Sequence, residues 1–452
     1  MASLIPILTV LEQSQVSPPP ALVKDASIPL TFFDIFYLLR PPMHFLYFYH
    51  LPLTTLQFTQ TIVPNLKHSL SITLQHFFPY AGNLLVFPGH PRKPEIRYVE
   101  GDSVKVTFAE CNLDFPDLTG YHPRNCDKFY HLIPLLENVN SKISDLVKIP
   151  VFSVQVSIFP NFGISVGMSI HHSLADATTQ FNFLKAWTSI ARFGNDESFL
   201  ANNTLPIYQR LVNYPELDQM FLDVTKLATN FNKDYQLPRL CGPTDKVRAT
   251  FVLTRTFINQ LKQHVSIKLP TLPYVSSLTV ACAYIWCCLA QSRDDERQAF
   301  VIPINCRTRM EPPVPEDYFG NCIWSCLLVA NTSVLRGSEG FVAAAKLIGE
   351  NLHKMLSDKD GIMKAILVWK DLSIHKSIPS TIIAVGGTPK VKLYEMDFGW
   401  GKPKKIERVA IDYGASISIE AGKECDQDLE FGVCLKPTQM HHFQRVFNLG
   451  LP

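Results

Sequence analysis

Hydrophobic and polar positions alternate most clearly between Val151 and Arg192. Phe152, Val154, Val156 and Ile158 are separated by Ser153, Gln155 and Ser157, a period of two that predicts a half-buried strand. Pro160-Asn161-Phe162-Gly163 is a turn signal. Ile164, Val166, Met168 and Ile170 then alternate with Ser165, Gly167 and Ser169, and the two runs together predict a β-hairpin. Beyond it the period changes. Phe181, Leu184, Trp187 or Thr188, and Ala191 recur at helical spacing, with Asp176 or Thr178 placed to cap the first turn.

Downstream the pattern weakens. From about Phe193 to Lys246, Asn, Asp and Pro accumulate, and this stretch reads as a long crossing connection. Val247 to Arg255 predicts a strand, Thr256 to His264 a helix, Ser276 to Gln291 a long buried helix, and Ala299 to Ile304 a strand. Strands and helices alternate throughout, so the class is α/β or α+β.

Composition narrows the function classes. The chain has 452 residues, 46% of them hydrophobic, enough for a large core in two or three domains. Charged residues reach 18% and the formal charge is +2, which gives no electrostatic case for nucleic acid or an anionic membrane. No run approaches the about 20 apolar residues of a membrane span. Leu4 to Leu11 is apolar but follows no basic residue, so it does not read as a targeting signal. The 11 cysteines are odd in number and scattered, with Cys282, Cys287 and Cys288 inside the buried helix. They read as free thiols of a reducing, cytoplasmic compartment, and no metal site is expected.

Three short motifs could carry chemistry. His171-His172-Ser173-Leu174-Ala175-Asp176 lies where the hairpin ends and the helix begins. Imidazole can accept a proton from an alcohol near neutral pH. The same residues also suit a pair of packed histidines with a capping Asp. Asp397-Phe398-Gly399-Trp400-Gly401 contains Asp-Phe-Gly, but the kinase reading fails without a Gly-rich loop and a catalytic loop upstream. Tyr318-Phe319-Gly320-Asn321-Cys322 follows a Pro-rich stretch.

In this order and spacing, HxxxD, YFGNC and DFGWG resemble the plant acyltransferase family called BAHD. YFGNC resembles its branch acting on anthocyanins and other flavonoid glycosides. Leu30-Thr31-Phe32-Phe33-Asp34, Pro79-Tyr80-Ala81-Gly82-Asn83 and Pro94-Glu95-Ile96-Arg97-Tyr98 resemble that branch too. The resemblance implies two similar-sized α/β domains related to chloramphenicol acetyltransferase, with a solvent channel between them. The domains would be 1–195 and 247–452, joined by a crossover at 196–246. Acyl-coenzyme A would be a co-substrate rather than a bound cofactor, the acceptor a small hydroxylated molecule, and the protein a monomer.

The resemblance also implies roles. His172 would take the acceptor's proton. Asp176 would hold the loop by pairing with Arg307 or Arg309. Trp400 would offer its indole N–H to the oxyanion, a contribution of about 3 kcal/mol in such sites. Gly399 and Asp397 would shape the channel wall, with Asp397 also a candidate acid–base group. Ser276 and Ser277 would touch coenzyme A, or Ser276 would simply cap a helix. Lys402, Lys404 and Lys405 would meet a coenzyme A phosphate or form a solvated loop. Malonyl-using members tend to read HxxxDASTR, whereas this chain has Asp176-Ala177-Thr178-Thr179-Gln180. Gln180 brings no charge for a carboxylate, so a neutral donor is expected: acetyl, a short branched acyl or hydroxycinnamoyl. Other readings stay open: acylation of a naphthoquinone alcohol such as shikonin, malonyl transfer, a non-catalytic binding protein on this fold, or a condensation domain of a peptide assembly line.

Overall fold

The computed structural model describes residues 6–87, 92–136, 139–140, 146–228, 236–273, 275–369 and 378–450. The expected hairpin is present. Phe152–Phe159 and Gly163–Ile170 pair antiparallel, Phe152 opposite Ile170 and Phe159 opposite Gly163. They are the centre of a six-stranded sheet in the order Leu8–Val16, Val104–Cys111, Phe152–Phe159, Gly163–Ile170, Met43–His50 and Lys405–Arg408.

The half-buried reading of these strands was too open: every position in both is buried. The apolar face packs beneath the helices Val63–His76 and Ala177–Phe193. The polar face is covered by the segment around His131 to Pro134. Gln155 Nε2 donates to the His131 carbonyl at 2.8 Å, and Ser169 Oγ donates to that of Pro134. At Gly167 a Cβ would stand 2.1 Å from the Leu132 carbonyl oxygen, so only glycine admits this close approach. Small polar residues here satisfy buried backbone rather than face water.

A second sheet of seven strands runs Ile323–Asn331, Arg297–Asn305, Ile382–Gly386, Ile417–Ala421, Leu429–Leu435, Val247–Leu253 and Arg124–Asn125. The helix Ser277–Ala290 is apolar on nearly every face and is buried accordingly. A smaller, five-stranded sheet lies in the N-terminal part.

The two large sheets exchange strands. Arg124–Asn125, from the N-terminal half, pairs with Val247–Leu253, and Lys405–Arg408, from the C-terminal half, pairs with Met43–His50. A buried ionic cluster sits at this exchange. Glu407 accepts from Arg124 at 2.7 Å and from Arg248 at 3.1 Å, and Arg248 reaches Asp412 at 3.3 Å. Burial alone would raise the Glu407 carboxyl, but Arg124, Arg248 and Lys405 bring it down to about 2. Lys405 is therefore no part of a solvated loop. It lies buried, 3.5 Å from Glu430.

The long connection is also more ordered than its composition suggests. It contains the helices Glu197–Asn202 and Pro215–Ala228, while residues 229–235 lie outside the described residues. Asp218, in the second helix, accepts from the Phe32 amide. No described helix is long and apolar enough to cross a membrane.

Candidate active site

Local sequence places His172. The strand Gly163–Ile170 ends, a short turn follows, and the helix Ala177–Phe193 begins. Asp176 is its N-cap: its side chain accepts from the Thr179 amide at 3.1 Å. The two histidines then diverge. His171 is fully buried, its Nδ1 accepts from the Ser173 amide at 3.3 Å, and burial pushes its imidazole down to about 3. His172 as a residue is only half-buried.

Burial also drives the His172 imidazole down, to about 4. Its own carbonyl, Asp176 and Asn321 pull the other way, and the Arg40 guanidinium adds to the depression. At neutral pH the ring is uncharged, which is the form a general base needs. The Tyr37 ring stacks on it, centroids 3.7 Å apart and planes within 7°.

The loop is locked from behind. Arg307 grips Asp176 with two bonds, Nη1 to Oδ2 at 2.7 Å and Nη2 to Oδ1 at 3.1 Å. The Cys322 amide adds a third donor to the same carboxylate at 3.0 Å. Both ionic partners are fully buried. Arg309 instead donates to the Asn305 carbonyl. With its oxygens so engaged, Asp176 braces the loop from its far side. At Gly320, φ is +123°, a conformation open to glycine, and it brings the Tyr318 and Gly320 carbonyls to Arg307 at 3.3 Å each.

DFGWG lies elsewhere. Asp397 Oδ1 accepts from the Gly399 and Gly401 amides at 2.8 Å each, and Oδ2 meets Arg192 at 3.3 Å. Phe398 packs edge-on against Trp187, and Trp400 against Tyr49. Arg192 is in the last turn of the helix that Asp176 caps, and Tyr49 pairs with Ile164 at the far end of the strand that leads to His172. At about 1.5 Å per helical residue and about 3.3 Å per strand residue, both rulers put DFGWG about 20 Å from His172. This corrects three expectations. Trp400 is too distant to donate to an oxyanion at His172, Asp397 is a loop brace rather than an acid–base group, and Gly399 shapes a turn away from the site.

The other candidates are plainer. Ser276 caps the helix Ser277–Ala290, accepting from the Thr279 amide at 3.0 Å, and Ser277 is half-exposed beside it. Lys402 and Lys404 are exposed next to DFGWG, remote from His172. Gln180 is buried, and its amide is committed to the loop: Nε2 donates to the Ala175 carbonyl and lies 3.2 Å from Met43 Sδ. Among the described residues, one group has ligand atoms close enough for a metal, Cys126, Asp412 and Cys434. There the Arg248 guanidinium already supplies the positive charge that Asp412 needs.

Sequence reasoning gave no role to three neighbours of His172. Tyr37 stacks on it, Arg40 charges its surroundings, and Asn321 donates to its carbonyl at 2.9 Å. For Asn321 the signal was present in YFGNC. Tyr37 and Arg40 follow LTFFD without any pattern of their own.

The comparisons with known proteins agree with this architecture. A model of the Transferase family matches residues 7–449. The chain is 51% identical to the malonyl-coenzyme A:anthocyanin 3-O-glucoside-6''-O-malonyltransferase of Dahlia pinnata, covering 99% of this chain and 98% of that one. It is 40% identical to the anthocyanin 5-O-glucoside-6'''-O-malonyltransferase of Salvia splendens, covering 98% and 95%. The crystal structure of vinorine synthase superposes with a TM-score of 0.66 over 98% of each chain, at 19% identity, a likeness of fold. With the family model spanning both sheets and the relatives matching end to end, this chain belongs to the BAHD transferase family and is an acyltransferase that uses acyl-coenzyme A as co-substrate.

Proposed function

We propose that the protein transfers a malonyl group from malonyl-coenzyme A to the 6-hydroxyl of a glucosyl group on an anthocyanin or related phenolic glucoside, with His172 as the general base. The observation that carries the chemistry is the uncharged imidazole of His172, held at the strand–helix junction by the Asp176–Arg307 pair. His172 Nε2 takes the hydroxyl proton as the oxygen attacks the thioester carbonyl. The tetrahedral oxyanion collapses, the C–S bond breaks, and the coenzyme A thiolate leaves and recovers the proton from the imidazolium. Asp176 favours the charged ring in between. Ser173 is no nucleophile in this scheme, since its hydroxyl donates to the Asp34 carbonyl at 2.9 Å.

The donor assignment replaces the neutral donor expected from Gln180. Both relatives are malonyltransferases, and the Gln180 amide is bound to its own loop, so its lack of charge says little about the donor. Arg40 supports the new reading. It is exposed, three residues beyond Tyr37 in a turn closed by its own amide on the Tyr37 carbonyl, near enough to His172 to depress its imidazole, and no described carboxylate pairs with it. A carboxylate-bearing donor would find its cation there.

The test is steady-state transfer to an anthocyanidin 3-O-glucoside from malonyl-, acetyl- and coumaroyl-coenzyme A, with wild type and His172→Ala. Malonyl preference and a loss of about 10²–10⁴-fold in His172→Ala are expected. Preference for a neutral donor would overturn the donor, and an undiminished His172→Ala would overturn the base.

A further inference from the structure

The Tyr37 and His172 rings lie face to face, with centroids 3.7 Å apart and planes 7° from parallel. Among the described residues no other ring pair is so close or so flat; the next, Tyr80 on Phe183, stands at 3.9 Å and 12°. Two neutral aromatic rings gain most when edge-on or well offset, with centroids about 4.5–7 Å apart. The neighbours of the stack follow that rule. Phe36 meets Tyr37 edge-on at 5.1 Å, and Trp369 meets Phe36 edge-on at 5.5 Å. A closer, near-parallel stack suits a cation lying on the negative face of a phenol. His172 becomes that cation when it takes the acceptor's proton.

Both members of the stack hang on Asn321. Its Nδ2 donates to the His172 carbonyl and to Asp34 Oδ1, at 2.9 Å each. Asp34 holds the turn that carries Tyr37: its Oδ2 accepts from the Thr31 amide and hydroxyl at 2.9 Å each, and its carbonyl accepts from the Tyr37 amide at 3.1 Å. The charged and titratable groups around the His172 ring give its proton little other support. In the catalytic loop, Asp176 favours the charged form but is already neutralised by Arg307, and His171 is itself uncharged at neutral pH. From the turn beyond Tyr37, Arg40 opposes the proton. Asn321 of YFGNC brings no charge, and burial keeps the Cys306 thiol protonated.

We propose that Tyr37 is a positioning residue for the transfer: its phenol face seats the His172 ring and holds it more strongly once that ring carries the acceptor's proton. The added hold appears only after the proton moves, so it acts on kcat rather than on substrate binding. LTFFD then serves to place Tyr37, and the inference rests on His172 being the base.

The test changes the charge of the ring face at nearly constant size. Position 37 is replaced by phenylalanine and, through nonsense suppression, by phenylalanines bearing one, two and three ring fluorines. Transfer is measured with whichever of malonyl-, acetyl- and coumaroyl-coenzyme A the wild type uses fastest. Tyr37→Phe keeps the π face and should stay within about threefold of wild type, while kcat should fall with each fluorine to a total loss of about tenfold, with KM for both substrates within about twofold. A flat series in folded variants, or a loss carried by KM, would overturn the proposal. The stack itself is read without turnover. The His172 ring-proton resonances, assigned by their absence in His172→Ala, should move downfield in Tyr37→Leu as the ring current of the phenol is lost. Unmoved resonances in a folded Tyr37→Leu would overturn the proposal as well. An undiminished His172→Ala removes the base assignment and this proposal with it, whereas a flat fluorine series beside an inactive His172→Ala removes this proposal alone.

Discussion

Asp397 pairs with Arg192 at the C-terminal end of the helix that Asp176 caps at its N-terminus. One motif therefore anchors the base's loop and the other anchors the opposite end of the same helix. DFGWG holds this helix to the sheet through Phe398 on Trp187 and Trp400 on Tyr49. Asp397→Ala should accordingly act on stability. It removes an acceptor from two loop amides and a half-exposed ion pair, a loss of about 1–3 kcal/mol. We expect a lower melting temperature, and kcat within about tenfold of wild type when both are assayed well below their midpoints. A collapse of kcat in a protein that melts normally would return Asp397 to the reaction.

The Asp176–Arg307 pair lies in full burial, so removing one partner strands the other. Arg307→Met should destabilise by about 3–5 kcal/mol, read in urea, and release the loop that carries His172. The double variant Asp176→Leu/Arg307→Met should recover part of that stability without recovering activity, because packing is repaired but the loop loses its brace.

Acid should weaken the fold before the carboxylates titrate. His44 and His171 are depressed to about 3 and His172 to about 4, in each case by burial. In the unfolded chain each binds a proton near pH 6.5, so between pH 6.5 and about 4 the unfolded state carries more protons and stability falls as pH falls. Each histidine contributes up to about 1.4 kcal/mol per pH unit across that window. Urea midpoints measured from pH 7 to 4.5 should decline steadily, and His172→Asn should flatten part of the slope. The acidic limb of kcat/KM should lie well below 6.5, since the base stays uncharged until about pH 4.

Arg40 offers a test of donor choice separate from the base. Arg40→Gln should raise KM for malonyl-coenzyme A about tenfold, the worth of a charge-assisted hydrogen bond, and leave acetyl transfer unchanged. Equal effects on both donors would show that Arg40 serves the fold or the coenzyme rather than the malonyl carboxylate.

Short-range order in this protein was legible in the chain itself. The hairpin, the helix after it and the buried helix Ser277–Ala290 follow from local periods of two and 3.6, and Asp176 from the chemistry of a helix start. The order of three motifs was enough to point to the family. What each motif does depended on distant contacts. Lys405 looks like one charge in a basic run until the strand Lys405–Arg408 enters the N-terminal sheet and buries it between carboxylates. Trp400 looks like an oxyanion donor until the strand and helix lengths place it at the wrong end. Asn321 donates to a carbonyl 149 residues earlier. Periodicity registers which face of a strand or helix is apolar. Which polar groups meet across the exchanged strands is set by packing between remote segments, and only the tertiary structure brings His172, Asn321 and Asp34 together.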